Sequence, residues 1–169
     1  MERANAILSH PLFLRKLSRL RELEKDRIFC RHGMEHLLDV ARIAYILCLE
    51  SSCEKTGHLS KEEAAHDKEL VYAAALLHDI GRARQYEDGT PHERESAGLA
   101  EIILSECGFD APESALIIDA ILSHRTSSGG EKTGFAGHLY RADKLSRCCP
   151  ECTATGQCNS KTKNNRLEY

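Results

Sequence analysis

The chain has 169 residues, of which 41% are hydrophobic and 29% charged, and its formal net charge is −3. This size and balance predict one ordinary globular domain with its own core, and they exclude a disordered chain. The apolar runs are too short to span a bilayer, no signal-peptide pattern is present, and no basic cluster could hold a nucleic-acid backbone. We therefore expect a cytoplasmic protein with no membrane and no large nucleic-acid partner.

Helical periodicity extends over almost the whole chain. Apolar residues recur at spacings of three and four, which is the period of a buried helix face. The predicted helices are residues 11–27, 33–50, 60–79, 90–106, 110–124 and 136–147. Three of them have capped starts, which are Ser60 with Glu63, Thr90 with Pro91 and Glu93, and Asp110 with Pro112 and Glu113.

Polar segments separate these helices. Residues 51–59 and 126–134 are predicted to be loops, and residues 81–91 a loop or at most one helical turn. No run alternates polar and apolar residues, so no sheet is expected. The sequence predicts an all-α, single-domain helical bundle at residues 1–147, followed by a Cys-rich tail at 148–169 whose last part is loose.

The doublet His78–Asp79 is the most informative local feature, because it closes the apolar run 71–77. Imidazole and carboxylate both ligate divalent metals. Neighbours on a helix point about 100° apart, so they can converge on one ion only near a helix end. Gly81 is expected to provide that end through a left-handed conformation. The alternative is a C-terminal cap, in which the helix dipole favours His78.

Other candidate ligands occupy helix ends or apolar faces of separate helices, and a bundle can gather such residues in one pocket. They are His36, His92, His124 and Asp143. With the doublet they give six ligands, more than one catalytic ion needs. We therefore expect one or two divalent ions, with Asp79 as the bridge if there are two.

The ordered set of motifs resembles the HD-domain superfamily of metal-dependent phosphohydrolases. The matching strings are Glu35-His36-Leu-Leu-Asp-Val-Ala, Leu76-Leu77-His78-Asp79-Ile80-Gly81 and Arg141-Ala142-Asp143-Lys144. The resemblance covers about residues 30–147 and implies an HD-type helical fold. It also implies that His36, His78, Asp79 and Asp143 hold a primary ion, whose bound hydroxide attacks phosphorus.

Two further elements resemble a subset of this superfamily that includes dinuclear phosphodiesterases and bacterial diadenosine tetraphosphate hydrolases. They are His92 with Ser96-Ala97, and Ile121-Leu122-Ser123-His124 followed by Arg125-Thr126. This resemblance implies that His92 and His124 serve a second ion or contact phosphate. Arg82 departs from this pattern, because relatives often have Lys at the position after Ile80-Gly81. The resemblance therefore does not assign a particular substrate.

These features predict hydrolysis of a phosphoester or pyrophosphate bond in a nucleotide or similar small molecule. Asp79, Arg82 and Lys144 are assigned to catalysis, and His32, Arg82, Arg125 and Lys144 to substrate binding. The alternatives to a functional role are a charge that faces solvent, a histidine that packs in the core and, for Asp143, an ion pair with Arg141 or Lys144. His32 is equally consistent with a solvent-facing position.

The ligand types admit iron, manganese, zinc, cobalt or nickel. They leave two other functions open, a non-catalytic sensor that binds metal and a nucleotide, and a di-iron oxygenase. A homodimer is also open.

The tail contains a cysteine cluster that packing does not require, at Cys148, Cys149, Cys152 and Cys158. The spacing of Cys149 and Cys152 is that of a zinc half-site, and Cys148, Cys158 or Cys30 could complete a four-thiolate set for a structural zinc. The alternatives are a reduced, mobile tail or one adventitious disulfide.

Overall fold

The computed structural model describes residues 1–56, 60–125, 134–160 and 163–164. Of the predicted loop at 126–134, residues 126–133 lie outside these ranges and Gly134 begins a helix. Most of the end of the tail also lies outside these ranges. The helices are α1 (Glu2–Ser9), α2 (Pro11–Leu23), α3 (Met34–Thr56), α4 (Lys61–Leu77), α5 (Arg82–Asp88), α6 (His92–Glu106), α7 (Ala111–Ser123) and α8 (Gly134–Leu145). A 3-10 turn follows at Thr155–Gln157, and no described residue lies in a strand, so the all-α prediction is confirmed.

Two of the three predicted capped starts are present. Ser60 Oγ accepts a hydrogen bond from the Glu63 amide at 3.2 Å, and the Glu63 carboxylate accepts one from the Ser60 amide. Asp110 and Glu113 form the same reciprocal pair at the start of α7. The third prediction was wrong, because Pro91 precedes α6 without a side-chain cap and Thr90 bonds to Asp88 instead.

Several helix boundaries differ from the predictions. The helix α3 continues to Thr56, so residues 51–56 of the predicted loop at 51–59 are helical, and the ends predicted at residues 79 and 147 fall at Leu77 and Leu145. Residues 82–88 form α5, which is longer than the predicted loop or single helical turn. Its one buried residue, Ala83, gives almost no periodic signal, and packing on α2 and α6 supports the helix. The helix α1 was not predicted. It buries Ala4 and Ile7, and Arg3 anchors it through ion pairs to α4 and α7. The helix α2 ends at Leu23 and not at residue 27.

The core lies where α3 packs against α4 and α8, with α7 against α4, α6 and α8. The end of α4 is its most deeply buried part, since every residue from 73 to 80 is 1% exposed or less. At this buried point the starts of α3 and α6 meet the ends of α4, α7 and α8. None of the described helices combines the length and apolar character needed to cross a membrane.

Candidate metal centre

Asp79 lies fully buried at the point where these helix ends meet. One carboxylate oxygen, Oδ2, is 3.6 Å from His36 Nε2 and 3.4 Å from His78 Nε2. The other oxygen, Oδ1, is 3.1 Å from His92 Nε2 and 3.6 Å from His124 Nε2. The two oxygens of one carboxylate thus face two different pairs of histidines.

Asp143 completes the first of these groups. Its Oδ1 is 3.5 Å from His36 Nε2, while its Oδ2 pairs with Lys144. The ion pair that the sequence offered as an alternative is therefore present, and one oxygen still faces the centre. Burial, the largest effect, favours the neutral acid, but Lys144 and His78 together lower the pKa of Asp143, so it is a carboxylate.

Hydrogen bonds on the far side of the rings orient the histidines. His78 Nδ1 donates to the Ala75 carbonyl at 2.7 Å, and His124 Nδ1 donates to the Ile121 carbonyl at 2.6 Å. A carbonyl can only accept, so Nδ1 carries a proton in each ring, and Nε2 faces Asp79. This arrangement is typical of metal-ligating histidines.

The helix α5 supplies the same kind of support to a third ring. His92 Nδ1 lies 2.5 Å from the side-chain oxygen of Gln85. His92 Nε2 and His124 Nε2 are 3.1 Å apart, and both face Asp79 Oδ1. Two imidazole nitrogens beside one carboxylate oxygen are a donor set for a divalent ion, so this group fits a metal ion.

The first group fits a cation for a separate reason. Among the described residues, His36 Nε2 and His78 Nε2 are buried and have no hydrogen-bond partner. Burial lowers the pKa of His78 to about 3, so its ring is neutral and available as a ligand. A buried, unsatisfied nitrogen is costly, and a divalent ion satisfies it. Ligand atoms of His36, His78, Asp79 and Asp143 lie within 4.8 Å of one another, as do those of Asp79, His92 and His124.

Gly81 positions these groups by a mechanism that differs from the predicted one. Its φ is −82° and its ψ is −5°, which is right-handed, so the predicted left-handed stop was wrong. A Cβ at this position would lie 2.7 Å from the His92 carbonyl oxygen and still closer to the Ser96 amide nitrogen. The Gly81 amide also donates to Ser96 Oγ at 2.9 Å. Glycine therefore allows α6 to approach closely enough to bring His92 to Asp79.

The centre opens into a pocket of about 400 Å³ with cationic walls. Arg82 Nη2 donates to both oxygens of Asp79, at 2.8 and 2.9 Å. The side chain of Arg125 is half exposed at the edge of the pocket, 3.6 Å from Glu93. The cationic side chains that line the pocket are Arg27, Arg82, Arg125, Lys144 and Arg147. Such a surface attracts anions.

His32 also borders this pocket, in an orientation fixed by a residue that the sequence analysis missed. Glu24, which is 2% exposed, accepts hydrogen bonds from the His32 amide at 2.7 Å and from Tyr86 Oη at 2.7 Å, and its carboxylate lies 2.6 Å from His32 Nδ1. His32 Nε2 then lies 4.0 Å from Asp79 Oδ2. Glu24, Gln85, Arg27 and Arg147 carry no motif, so no sequence signal could have identified them.

Comparisons with known proteins identify the family of this chain. The HD domain family model matches residues 33–148. A protein of Clostridium beijerinckii, described only as uncharacterized, is 40% identical over 171 residues and covers 100% of both chains. Ribonuclease Y 1 of Levilactobacillus brevis is 27% identical over 128 residues, which are 68% of this chain and 22% of that protein. No solved structure matches. The chain belongs to the HD domain family, and thus to the superfamily of metal-dependent phosphohydrolases whose motifs its sequence carries.

Proposed function

We propose that this protein hydrolyses a phosphoester or pyrophosphate bond in a small phosphorylated molecule, a nucleotide or a similar compound. The observation that carries the proposal is the position of Asp79, whose two oxygens belong to two separate groups of ligand atoms. A carboxylate in this position can bridge two divalent ions. Two ions held in this way would supply charge stabilisation at both the attacking and the leaving oxygen of a phosphoryl group.

The residues divide between the two oxygens of Asp79. His36, His78 and Asp143 would hold an ion beside Oδ2, and His92 and His124 would hold one beside Oδ1. When bound, such ions polarise a phosphoryl oxygen and acidify water to a pKa of about 7. The role of the chain is to hold these imidazole nitrogens and carboxylate oxygens in two groups, one beside each oxygen of Asp79.

The cationic side chains are suited to hold the phosphate. Arg82 is anchored on Asp79 beside both ligand groups, and its guanidinium has further N–H groups to offer a phosphate in a planar, bidentate way. Lys144 lies next to Asp143, and Arg125 lies at the edge of the pocket. A pocket of about 400 Å³ is typical of small-molecule sites, which supports a compact substrate.

The partial similarity to ribonuclease Y 1 supports cleavage of a phosphorus–oxygen bond, because that protein is named as a nuclease. This chain spans only 22% of that protein. We therefore keep the small substrate as the proposal and make a short oligoribonucleotide one of the substrates to be tested.

The test is a panel of phosphorylated metabolites, dinucleoside polyphosphates and the oligoribonucleotide, each assayed with manganese, iron, cobalt, nickel and zinc. We expect at least one substrate to be hydrolysed by the wild type and by Asp39→Asn, a control on the exposed face of α3. Asp79→Asn should be inactive although folded. Tight binding without turnover of any substrate would favour the sensor, and an oxygen-dependent product would favour the oxygenase.

A further inference from the structure

Five cysteines line a second, much smaller cavity of about 30 Å³ beside the metal-centre pocket. They come from separate parts of the chain. Cys30 is in the segment between α2 and α3. Three more follow α8, namely Cys148, Cys149 and Cys152, and Cys158 follows the 3-10 turn. None of these thiols is in a disulfide.

The segment that carries Cys149 and Cys152 is folded as a tight turn. The Cys152 amide donates to the Cys149 carbonyl at 3.2 Å, and Thr155 Oγ1 donates to both carbonyls, at 2.9 and 2.7 Å. The Asn164 amide donates to Cys149 Sγ at 3.2 Å. Backbone amides aimed at sulfur support thiolate ligands, and two cysteines separated by two residues are the usual half of a zinc site.

Cys30 lies opposite this turn, because Cys30, Cys149 and Cys152 line the same small cavity. Thiolates gathered in this way repel one another, so a cation must compensate their charge if they ionise together.

The described thiols line one cavity but do not form a ligating arrangement in this structure. No three of the described sulfur atoms lie within 4.8 Å of one another. Four sulfurs bound to zinc at about 2.3 Å lie about 3.8 Å apart. Metal binding would therefore draw the tail and the segment at Cys30 towards each other.

We propose that Cys30, Cys149, Cys152 and Cys158 bind one zinc ion as thiolates, at a site separate from the histidine–aspartate centre. Each thiol releases its proton to solvent as it binds. Four thiolates leave no open position, so this site is structural. Cys30, Cys149 and Cys158 also line the larger pocket, so the ion fixes the wall that the tail contributes to the metal centre.

The test compares metal content and cobalt spectra of the full-length chain, prepared under reducing conditions. Cobalt bound to thiolates gives intense near-ultraviolet charge-transfer absorption, which histidine and carboxylate ligands do not give. We expect this absorption in the wild type, in Asp79→Asn and in the control Cys107→Ser. The double variant Cys149→Ser/Cys152→Ser should lack the absorption and should hold about one zinc less than the wild type.

Alkylation of the wild type provides a second measurement that does not depend on any variant folding. Zinc should protect Cys30, Cys149, Cys152 and Cys158 from alkylation, and removal of zinc by a chelator should expose them. Equal alkylation with and without zinc, or an unchanged cobalt spectrum in the folded double variant, would overturn the proposal. Neither measurement uses turnover, so failure here is distinguishable from failure of the proposed hydrolysis.

Discussion

The two walls of the pocket are built in different ways. One wall consists of helix ends from α3, α4, α6, α7 and α8, and it carries all the candidate ligands of the histidine–aspartate centre. The other wall consists of segments outside regular helices, near residues 27–32 and 147–160. The family match at residues 33–148 contains the helical wall but omits nearly all of the second wall.

The two walls also differ in what holds them in place. The helical wall is fixed by a buried core, and its rings are held by carbonyl and amide acceptors. The second wall is held by a few polar contacts, such as Arg147 to Ser160 and Asn164 to the Leu145 carbonyl. Chemistry needs the rigidity of helices, and loops tolerate variation. We therefore expect the helical wall to set the reaction and the second wall to help set the substrate.

The largest effect is expected when one ligand is removed from the helical wall. We expect His78→Gln to lower turnover by roughly a thousandfold or more, because the amide cannot replace the aimed Nε2 lone pair. The control is His10→Gln, at the start of α2, where the ring accepts from the Leu12 amide away from the pocket. Steady-state kinetics with saturating metal measure both. Near-normal turnover of a folded His78→Gln would remove this residue from the centre.

A second prediction concerns the close approach of α6. Gly81→Ala places a methyl group against the α6 backbone, and we expect it to lower the free energy of unfolding by about 1–3 kcal/mol and to weaken metal binding. Gly98 is the matched control, because it lies within α6 and a Cβ there meets nothing within 4 Å. Gly98→Ala should raise stability by about 0.5–1 kcal/mol. Urea denaturation compares them, and equal effects at both glycines would contradict the packing argument.

A third prediction concerns how the contribution of Glu24 to the free energy of unfolding changes with pH. Glu24 supports the second wall through His32. Burial is the largest effect and raises the pKa of this carboxyl, but the hydrogen bonds and charge of His32, with help from Tyr86, bring it down from 4.5 to about 2. A lowered folded-state pKa stabilises the fold above the unfolded value, and this contribution is lost as the pH falls from about 4.5 to about 2.

We therefore expect Glu24→Gln to lower the free energy of unfolding by about 1–3 kcal/mol at neutral pH, and by progressively less as the pH falls towards 2. Denaturation of metal-free protein across this range measures the change. Glu22→Gln is the control, since that exposed side chain pairs only with Lys25 among the ion pairs of the described residues. A difference between wild type and Glu24→Gln that stayed constant with pH would contradict the assignment.

The smallest effect is expected at the pocket edge. Arg125→Gln should raise KM by about three- to tenfold with kcat little changed, because a half-exposed cation contributes modestly to phosphate binding. Arg84→Gln serves as control, since Arg84 pairs with Asp88 and does not line the pocket. High salt should reduce the effect of Arg125→Gln by screening the charge. A large fall in kcat would instead assign Arg125 to the reaction itself.

Local sequence determined the helices with strong periodicity, the capping boxes at Ser60 and Asp110, and the ordered residues from His36 to Asp143 that indicated a metal centre. These signals are local, because capping and helix periodicity act within a few residues. Composition also predicted the cysteine cluster as a feature, although not its position against Cys30.

Only the tertiary structure decided which histidines face which oxygen of Asp79. It decided that Gly81 must be glycine, because α6 packs against it, and that residues 82–88 form a helix that places Gln85 beside His92. It also decided the roles of Glu24, Arg27 and Arg147, which carry no pattern. Their positions depend on contacts between residues far apart in the chain, such as Glu24 with Tyr86. Such contacts form only when the packed core places separate helices side by side, so no local pattern encodes them.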